Sequence, residues 1–261
     1  MTILLDSLYK RIGYRPTKPV AFADLPEFLS LLSLQFPFEN GAVLNKERTP
    51  MTKNDLTDAL LNKKRGGLCY DLNAFLYYIL KEIGFSVHMV QGTVFNQQER
   101  AWAQTGTHIA VILQKANETY LLDTGFGINL PLAPVPFSGE TVASKTGAYR
   151  IRKVKTDKGD YLLEMDKGDY LLEMDKGEGW QTGYAFTMKP IDEKVLTKVR
   201  DAIFDDKASP FNKHPLASKL TKDGKIILSK DHFTKHTESG VTKEKVEDGE
   251  FAAIFNQAFF D

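Results

Sequence analysis

Cysteine is nearly absent from this chain: one residue, Cys69, in 261. A single thiol excludes an intramolecular disulfide and a cysteine-rich metal site, so no metal is expected and a reducing cytoplasm fits. Net charge is lacking as well. Lys plus Arg number 34 and Asp plus Glu number 34, which predicts no broad electrostatic footprint for nucleic acid or an anionic membrane. No apolar run approaches the length of a membrane span. The start, Met1-Thr2-Ile3-Leu4-Leu5-Asp6, lacks the basic n-region of a signal peptide. No Gly-rich phosphate loop of Walker or dinucleotide type occurs. What is present is an ordinary globular composition, 42% hydrophobic and 26% charged, in a chain long enough for more than one packed unit.

The stretch around Cys69 organises the rest. Gly66 and Gly67 precede the cysteine, and Leu72, Phe75, Leu76, Ile79, Leu80 and Ile83 follow at helical spacing, with Gly84 as a stop. Cys69 is therefore expected at a helix N-terminus, where unpaired N–H groups and the dipole favour an anionic sulfur. The two glycines let the chain turn sharply and let other groups approach the sulfur. The plainer reading of a lone cysteine is a small buried hydrophobe.

Residues 1–84 read as mostly helical. Asp24 looks like a cap for a helix bearing Leu29, Leu31 and Leu32, and Thr52 for one bearing Leu56, Ala59 and Leu60. Phe36 to Asn40 reads as an aromatic-rich loop. From Phe85 the period becomes two, with strands expected over 87–95, 108–113 and 119–123, and a polar loop from Asn96 to Gly106. Pro131, Pro134 and Pro136 mark an extended connector. Strands are expected at 149–152, 184–186 and 225–228, and helices from Asp192 and over 251–260. Residues 157–165 recur unchanged at 166–174. The simplest geometry is a hairpin of Tyr161–Met165 with Tyr170–Met174 around a turn at 166–169, outside the chemistry.

A cysteine nucleophile needs a base, and the base needs an orienting acceptor. His214, His232 and His236 lie in a polar, Lys-rich tail, and His88 sits within a strand. His108 is different. If residues 115–118 form the turn, Gln114 pairs with Thr119 and Ala110 with Asp123, so His108 shares a face with Asp123 as a diagonal neighbour. The plainer alternative is a structural His–Asp pair. Cys69, His108 and Asp123 follow the order of papain-like and transglutaminase-like cysteine enzymes, with a helix-borne thiol and strand-borne partners.

Several motifs together resemble the arylamine N-acetyltransferase family: R-G-G-L-C at 65–69 with Asp71 and Asn73 behind it, Y-K-R-I-G-Y at 9–14, P-F-E-N at 37–40, the His108 strand, and L-L-D-T-G-F-G at 121–127. The family more often has Glu at position 71 and Leu at position 41, where this chain has Gly. The resemblance implies an α+β fold of three domains with a papain/transglutaminase-like Cys-His-Asp core: a helical bundle over 1–84 carrying the nucleophile, a β-barrel over 85–190 carrying His and Asp, and an α/β lid over 191–261. It implies Cys69, His108 and Asp123 as catalytic residues, acetyl-CoA as co-substrate and an aromatic amine or hydrazine as acceptor. Phe38 and Phe126 are expected to contact the acceptor, and Thr105, Gly106 and Thr107 to approach CoA. A cysteine amide hydrolase, an amide synthase with the same triad, and a non-catalytic binding domain are the rival readings.

Overall fold

A computed structural model describes residues 2–166 and 179–260. The N-terminal part is helical: α1 (Ile3–Ile12), α2 (Leu25–Gln35), the short α3 (Gly41–Leu44), α4 (Lys53–Thr57) and α5 (Cys69–Ile83). Gly13 ends α1 at φ 68° and Gly84 ends α5 at φ 108°, conformations that favour glycine. Thr52 caps α4 by accepting the Asp55 N–H, and α4 runs on into a π-helical turn over Asp58–Asn62. Asp24 departs from expectation. Its carboxylate accepts the Ala21 N–H at 2.8 Å and does not cap α2. Pro26 occupies the second helical position and offers no N–H to a cap. Leu8, Leu25, Phe28, Ile79 and Leu80 close this part of the core around α5.

The expected loop at 36–40 holds a two-residue strand, β1 (Phe38–Glu39). Then come β2 (Ser86–Asn96), β3 (Ala101–Trp102), β4 (His108–Lys115), β5 (Glu118–Leu122), β6 (Val135–Pro136), β7 (Val142–Ser144), β8 (Gly147–Thr156), β9 (Gly159–Asp166) and β10 (Gln181–Phe186). The stretch 96–106 is thus not all loop, since Trp102 pairs with Phe95. The sheet runs β6-β5-β4-β2-β10-β9-β8-β7, and β6 lies against β8, so it curls into a nearly closed barrel. β4 is buried on both faces: Ala110 and Ile112 point into the barrel, while Val111 and Leu113 pack against α5. The expected hairpin between the repeated copies is not formed on β9, because β8 and β10 occupy its two edges. The second copy, 166–174, lies almost wholly outside the described residues.

The C-terminal part comprises α6 (Glu193–Asp205), four antiparallel strands β11 (Leu216–Thr221), β12 (Gly224–Ser229), β13 (His232–Thr237) and β14 (Gly240–Lys245), and α7 (Phe251–Phe260). Its sheet gains a fifth strand from the N-terminal part, β1, which pairs with β11. Among the described residues no helix is long and apolar enough to cross a membrane.

Candidate active site

Cys69 is the first residue of α5, and Leu68 before it is extended. The Leu68 N–H donates to Asp71 Oδ2 at 3.0 Å, so Asp71 reaches back and closes the first turn. The glycines serve this arrangement more than they clear space at the sulfur. A Cβ on Gly67 would stand 2.6 Å from Asp71 Cβ, and one on Gly66 2.3 Å from the Pro37 carbonyl oxygen. Behind them Glu39 is buried, and the loop is stitched to β1 by the Glu39 N–H donating to the Gly67 carbonyl and the Gly67 N–H to the Pro37 carbonyl.

Opposite the thiol, the β4–β5 register is the one alternation predicts: Gln114 faces Thr119 and Val111 faces Leu122. That register carries His108 and Asp123 to one rim of the barrel. His108 Nε2 lies 2.7 Å from Asp123 Oδ2, with both residues only 2% exposed. Nε2 being committed to Asp123, Nδ1 is the nitrogen left to face Cys69, whose proximity helps to raise the imidazole. The Cys69 Sγ also lies 3.3 Å from the Thr107 carbonyl oxygen.

Asp123 is held by four donors. Oδ1 accepts from Asn73 Nδ2 at 2.7 Å and from the Gly125 N–H at 2.8 Å; Oδ2 accepts from His108 and from the Tyr184 hydroxyl at 2.8 Å. Asn73 is itself fixed by donating to the Ile109 carbonyl and accepting the Thr124 N–H. Burial alone would penalise both charges of the His108–Asp123 pair. Each charge and hydrogen bond offsets the other's penalty, so His108 is pushed up to about 10, with Cys69 adding to the effect, and Asp123 is held below its ordinary value. Tyr184 stays protonated, its hydroxyl driven far up by burial and by Asp123.

Sequence reasoning placed Tyr184 in a strand without a role. Its hydroxyl meets Asp123 because β10 is the neighbour of β2, a pairing that local pattern does not encode. Its ring lies 4.4 Å from His108, and Phe126 lies 5.4 Å from His108 and 5.2 Å from Tyr184. Phe38 packs edge-on to Phe211 at 5.8 Å and joins the cluster containing Cys69. Within 105–107, Thr105 is exposed, the Gly106 N–H donates to Thr93 Oγ1, and the Thr107 hydroxyl donates to the Gln104 carbonyl. His88 is remote from this network. Its Nε2 is buried without a partner, and burial holds its imidazole below its ordinary value.

A thiol at a helix start, an imidazole and a buried carboxylate in line form the constellation used for cysteine-dependent acyl transfer. The class of protein is thus an acyl-transferring cysteine enzyme by its chemistry. Comparison narrows it. The N-acetyltransferase family model matches residues 22–260. An uncharacterized acetyltransferase of Bacillus subtilis, YvcN, is 47% identical over 240 residues, 92% of this chain and 91% of that protein. A probable arylamine N-acetyltransferase 2 of Dictyostelium discoideum is 36% identical over 87% of this chain and 80% of its own length. Among solved structures, the NAT3 arylamine N-acetyltransferase of Bacillus cereus, with a unique Cys-His-Glu catalytic triad, is 41% identical. It aligns with a TM-score of 0.92 over 99% of this chain and 98% of its own. The chain belongs to the arylamine N-acetyltransferase family. Where that relative has a Glu in its triad, the carboxylate bonded to the imidazole here is Asp123.

Proposed function

We propose that the protein transfers an acetyl group from acetyl-CoA to an aromatic amine or hydrazine by a ping-pong mechanism through an acetyl-Cys69 thioester. The observation that carries this reading is the Cys69–His108–Asp123 line with Asp123 saturated by donors. His108 Nδ1 takes the thiol proton, and Asp123 stabilises the imidazolium. The Cys69 sulfur attacks the thioester carbonyl of acetyl-CoA, and the tetrahedral intermediate expels CoA, which leaves with the proton from His108. The product is again a thioester, so the step costs little free energy. Backbone N–H groups at the start of α5 are the natural donors to the oxyanion. The amine, neutral at pH 7, then attacks the acetyl-enzyme. His108 accepts its proton, and the sulfur leaves.

Phe126, packed against His108 and Tyr184, and Phe38 form the aromatic wall for the acceptor in this reading. Thr105, Gly106 and Thr107 flank the donor at its sulfur end, since the Thr107 carbonyl lies beside Cys69 Sγ. The structure of a Mycobacterium marinum relative in complex with CoA, 24% identical with a TM-score of 0.83, is consistent with CoA as donor. Residues 1–84 then act as the helical domain carrying the nucleophile, 85–190 as the barrel domain and 191–261 as the lid. A lone thiol suits a reducing cytoplasm.

The test is intact mass after mixing with acetyl-CoA, followed by p-anisidine. One acetyl group on Cys69, stable in buffer and lost on adding the amine, is the expected result. No acetyl gain, with a Cys69→Ala control identical to wild type, overturns the reading. Rapid loss of the acetyl group to water without amine indicates a hydrolase instead.

A further inference from the structure

Asn40 and Gly41 form the only Asn-Gly pair in the sequence. In such a pair no side chain shields the glycine nitrogen, which can attack the side-chain amide before it. Here the amide is held back. Asn40 is 1% exposed, and both amide hydrogens and the amide oxygen are engaged by the segment that joins α6 to β11. Nδ2 donates to the Phe211 and His214 carbonyls, each at 2.8 Å, and Oδ1 accepts the Leu216 N–H at 2.8 Å. The backbone at Asn40, with φ −116° and ψ 18°, turns the Gly41 nitrogen away from the side chain, whereas ring closure needs that nitrogen eclipsed with Cβ. The Gly41 N–H donates to Glu39 Oε2 at 2.5 Å. Nucleophile, leaving group and base are therefore neighbours, and what is missing is a rotation about ψ that the docked segment forbids.

We propose that Asn40-Gly41 is a deamidation site governed by the docking of residues 211–216. The amide survives while the segment is docked, is lost once the segment lifts, and leaves a product that cannot redock. In the first step the Gly41 nitrogen bonds to Asn40 Cγ and the Cγ–Nδ2 bond breaks. The proton of the Gly41 nitrogen passes through the Glu39 carboxylate to Nδ2, which leaves as ammonia. Water then opens the cyclic imide at either carbonyl, giving an aspartyl or an isoaspartyl residue.

Neither product replaces the amide. A carboxylate has no proton for the Phe211 and His214 carbonyls, and its charge would be buried next to that of Glu39. The isoaspartyl form also adds a methylene to the backbone between β1 and α3. β1 backs the nucleophile loop through the Glu39 N–H and the Gly67 carbonyl, so the damage reaches the support of Cys69. An excursion of the C-terminal segment is thereby recorded in covalent form.

The test is peptide mapping by mass spectrometry after incubation in mildly alkaline buffer, with the exposed Asn45 as the control amide. Folded wild-type protein is expected to convert Asn40 at least about tenfold more slowly than protein unfolded in urea, because only the opened fraction reacts. In urea Asn40 is expected to outpace Asn45, and Gly41→Ala to remove that lead; the added Cβ would meet only the flexible Glu39 carboxylate. Phe211→Ala removes the ring packed on Phe38 but keeps the carbonyl that Asn40 holds, and is expected to speed conversion in folded protein about tenfold. Converted protein, returned from urea, is expected to unfold at a lower urea midpoint than unconverted protein. Equal rates in folded and unfolded protein, or no acceleration in a cooperatively folded Phe211→Ala variant, overturn the control by docking. Asn40 no faster than Asn45 in urea overturns the site itself, and a wild-type midpoint after conversion overturns the loss of redocking.

Discussion

Asp71 sits two residues from the nucleophile and accepts a single hydrogen bond, from the Leu68 N–H. It is half-buried, borders a small cavity shared with Tyr70, Arg65 and Arg200, and has Glu39 as a buried carboxylate neighbour. Burial raises its carboxyl from 3.8 to about 7, with Glu39 adding to the rise and Arg65 and Arg200 opposing it. The sign of the linkage follows. Below pH ~4 both the folded and unfolded states are protonated and the group contributes nothing. Between about 4 and about 7 the unfolded chain has released a proton that the folded chain keeps, so stability falls as pH rises. Above that range the penalty is complete. At 1.36 kcal/mol per unit the ceiling is about 4 kcal/mol, and discounting for a residue only half removed from solvent leaves about 2 kcal/mol.

Asp71→Asn keeps the acceptor for Leu68 and removes the titration. Urea unfolding of the two proteins from pH ~4 to ~8 should therefore show the variant gaining about 2 kcal/mol on wild type as pH rises, then a plateau. Glu39 is present in both proteins, so its own titration largely cancels in the difference. A difference flat to about 0.5 kcal/mol over that range refutes the reasoning, because Asp71 would then be ionised throughout. A neutral Asp71 closes the helix turn without placing a negative charge beside the Cys69 sulfur.

A Cβ added at Gly125 would stand 2.7 Å from Cys69 Cα and 2.8 Å from Asn73 Nδ2, so Gly125→Ala should cost about 1–3 kcal/mol in thermal unfolding and sharply slow iodoacetamide labelling of Cys69. Tyr184→Phe removes one of four donors to an ionised carboxylate, a bond worth about 1.5–3 kcal/mol; acylation measured by stopped flow should drop about tenfold and persist, because three donors remain. Deleting 166–174 places Asp175 after Met165 and cuts the β9–β10 connection from fourteen residues to five. Loop closure then predicts an unchanged fold with about 0.9 kcal/mol of added stability, read as a higher urea midpoint.

The parts legible in the sequence were those with short-range causes. The period of α5 and the Gly84 stop are local, and so is the β4–β5 register, because a tight turn and strict alternation determine both. That register alone was enough to bring His108 to Asp123. The long-range parts were hidden. β1 is two residues long, and only β11, far along the chain, makes it a strand. Tyr184 reaches Asp123 through the order of strands in the barrel, which no window of residues records. Gly66 and Gly67 looked like clearance for the sulfur because the sequence shows the missing Cβ atoms but not the neighbours, Pro37, Glu39 and Asp71, that fill the space.

The Asn40 side chain donates to the carbonyls of Phe211 and His214, and accepts the Leu216 N–H 176 residues away. Synthesis runs from the N-terminus, so the strand backing the thiol loop waits for nearly the whole chain before its outer edge is paired. Contacts of such separation form late, after the local helices and hairpins. A ribosome-bound or truncated chain would therefore carry Cys69 on a formed helix beside an unfinished support. The order of translation thus makes assembly of the reactive centre a late event, and a chain cut short of residue 211 lacks every one of these Asn40 partners.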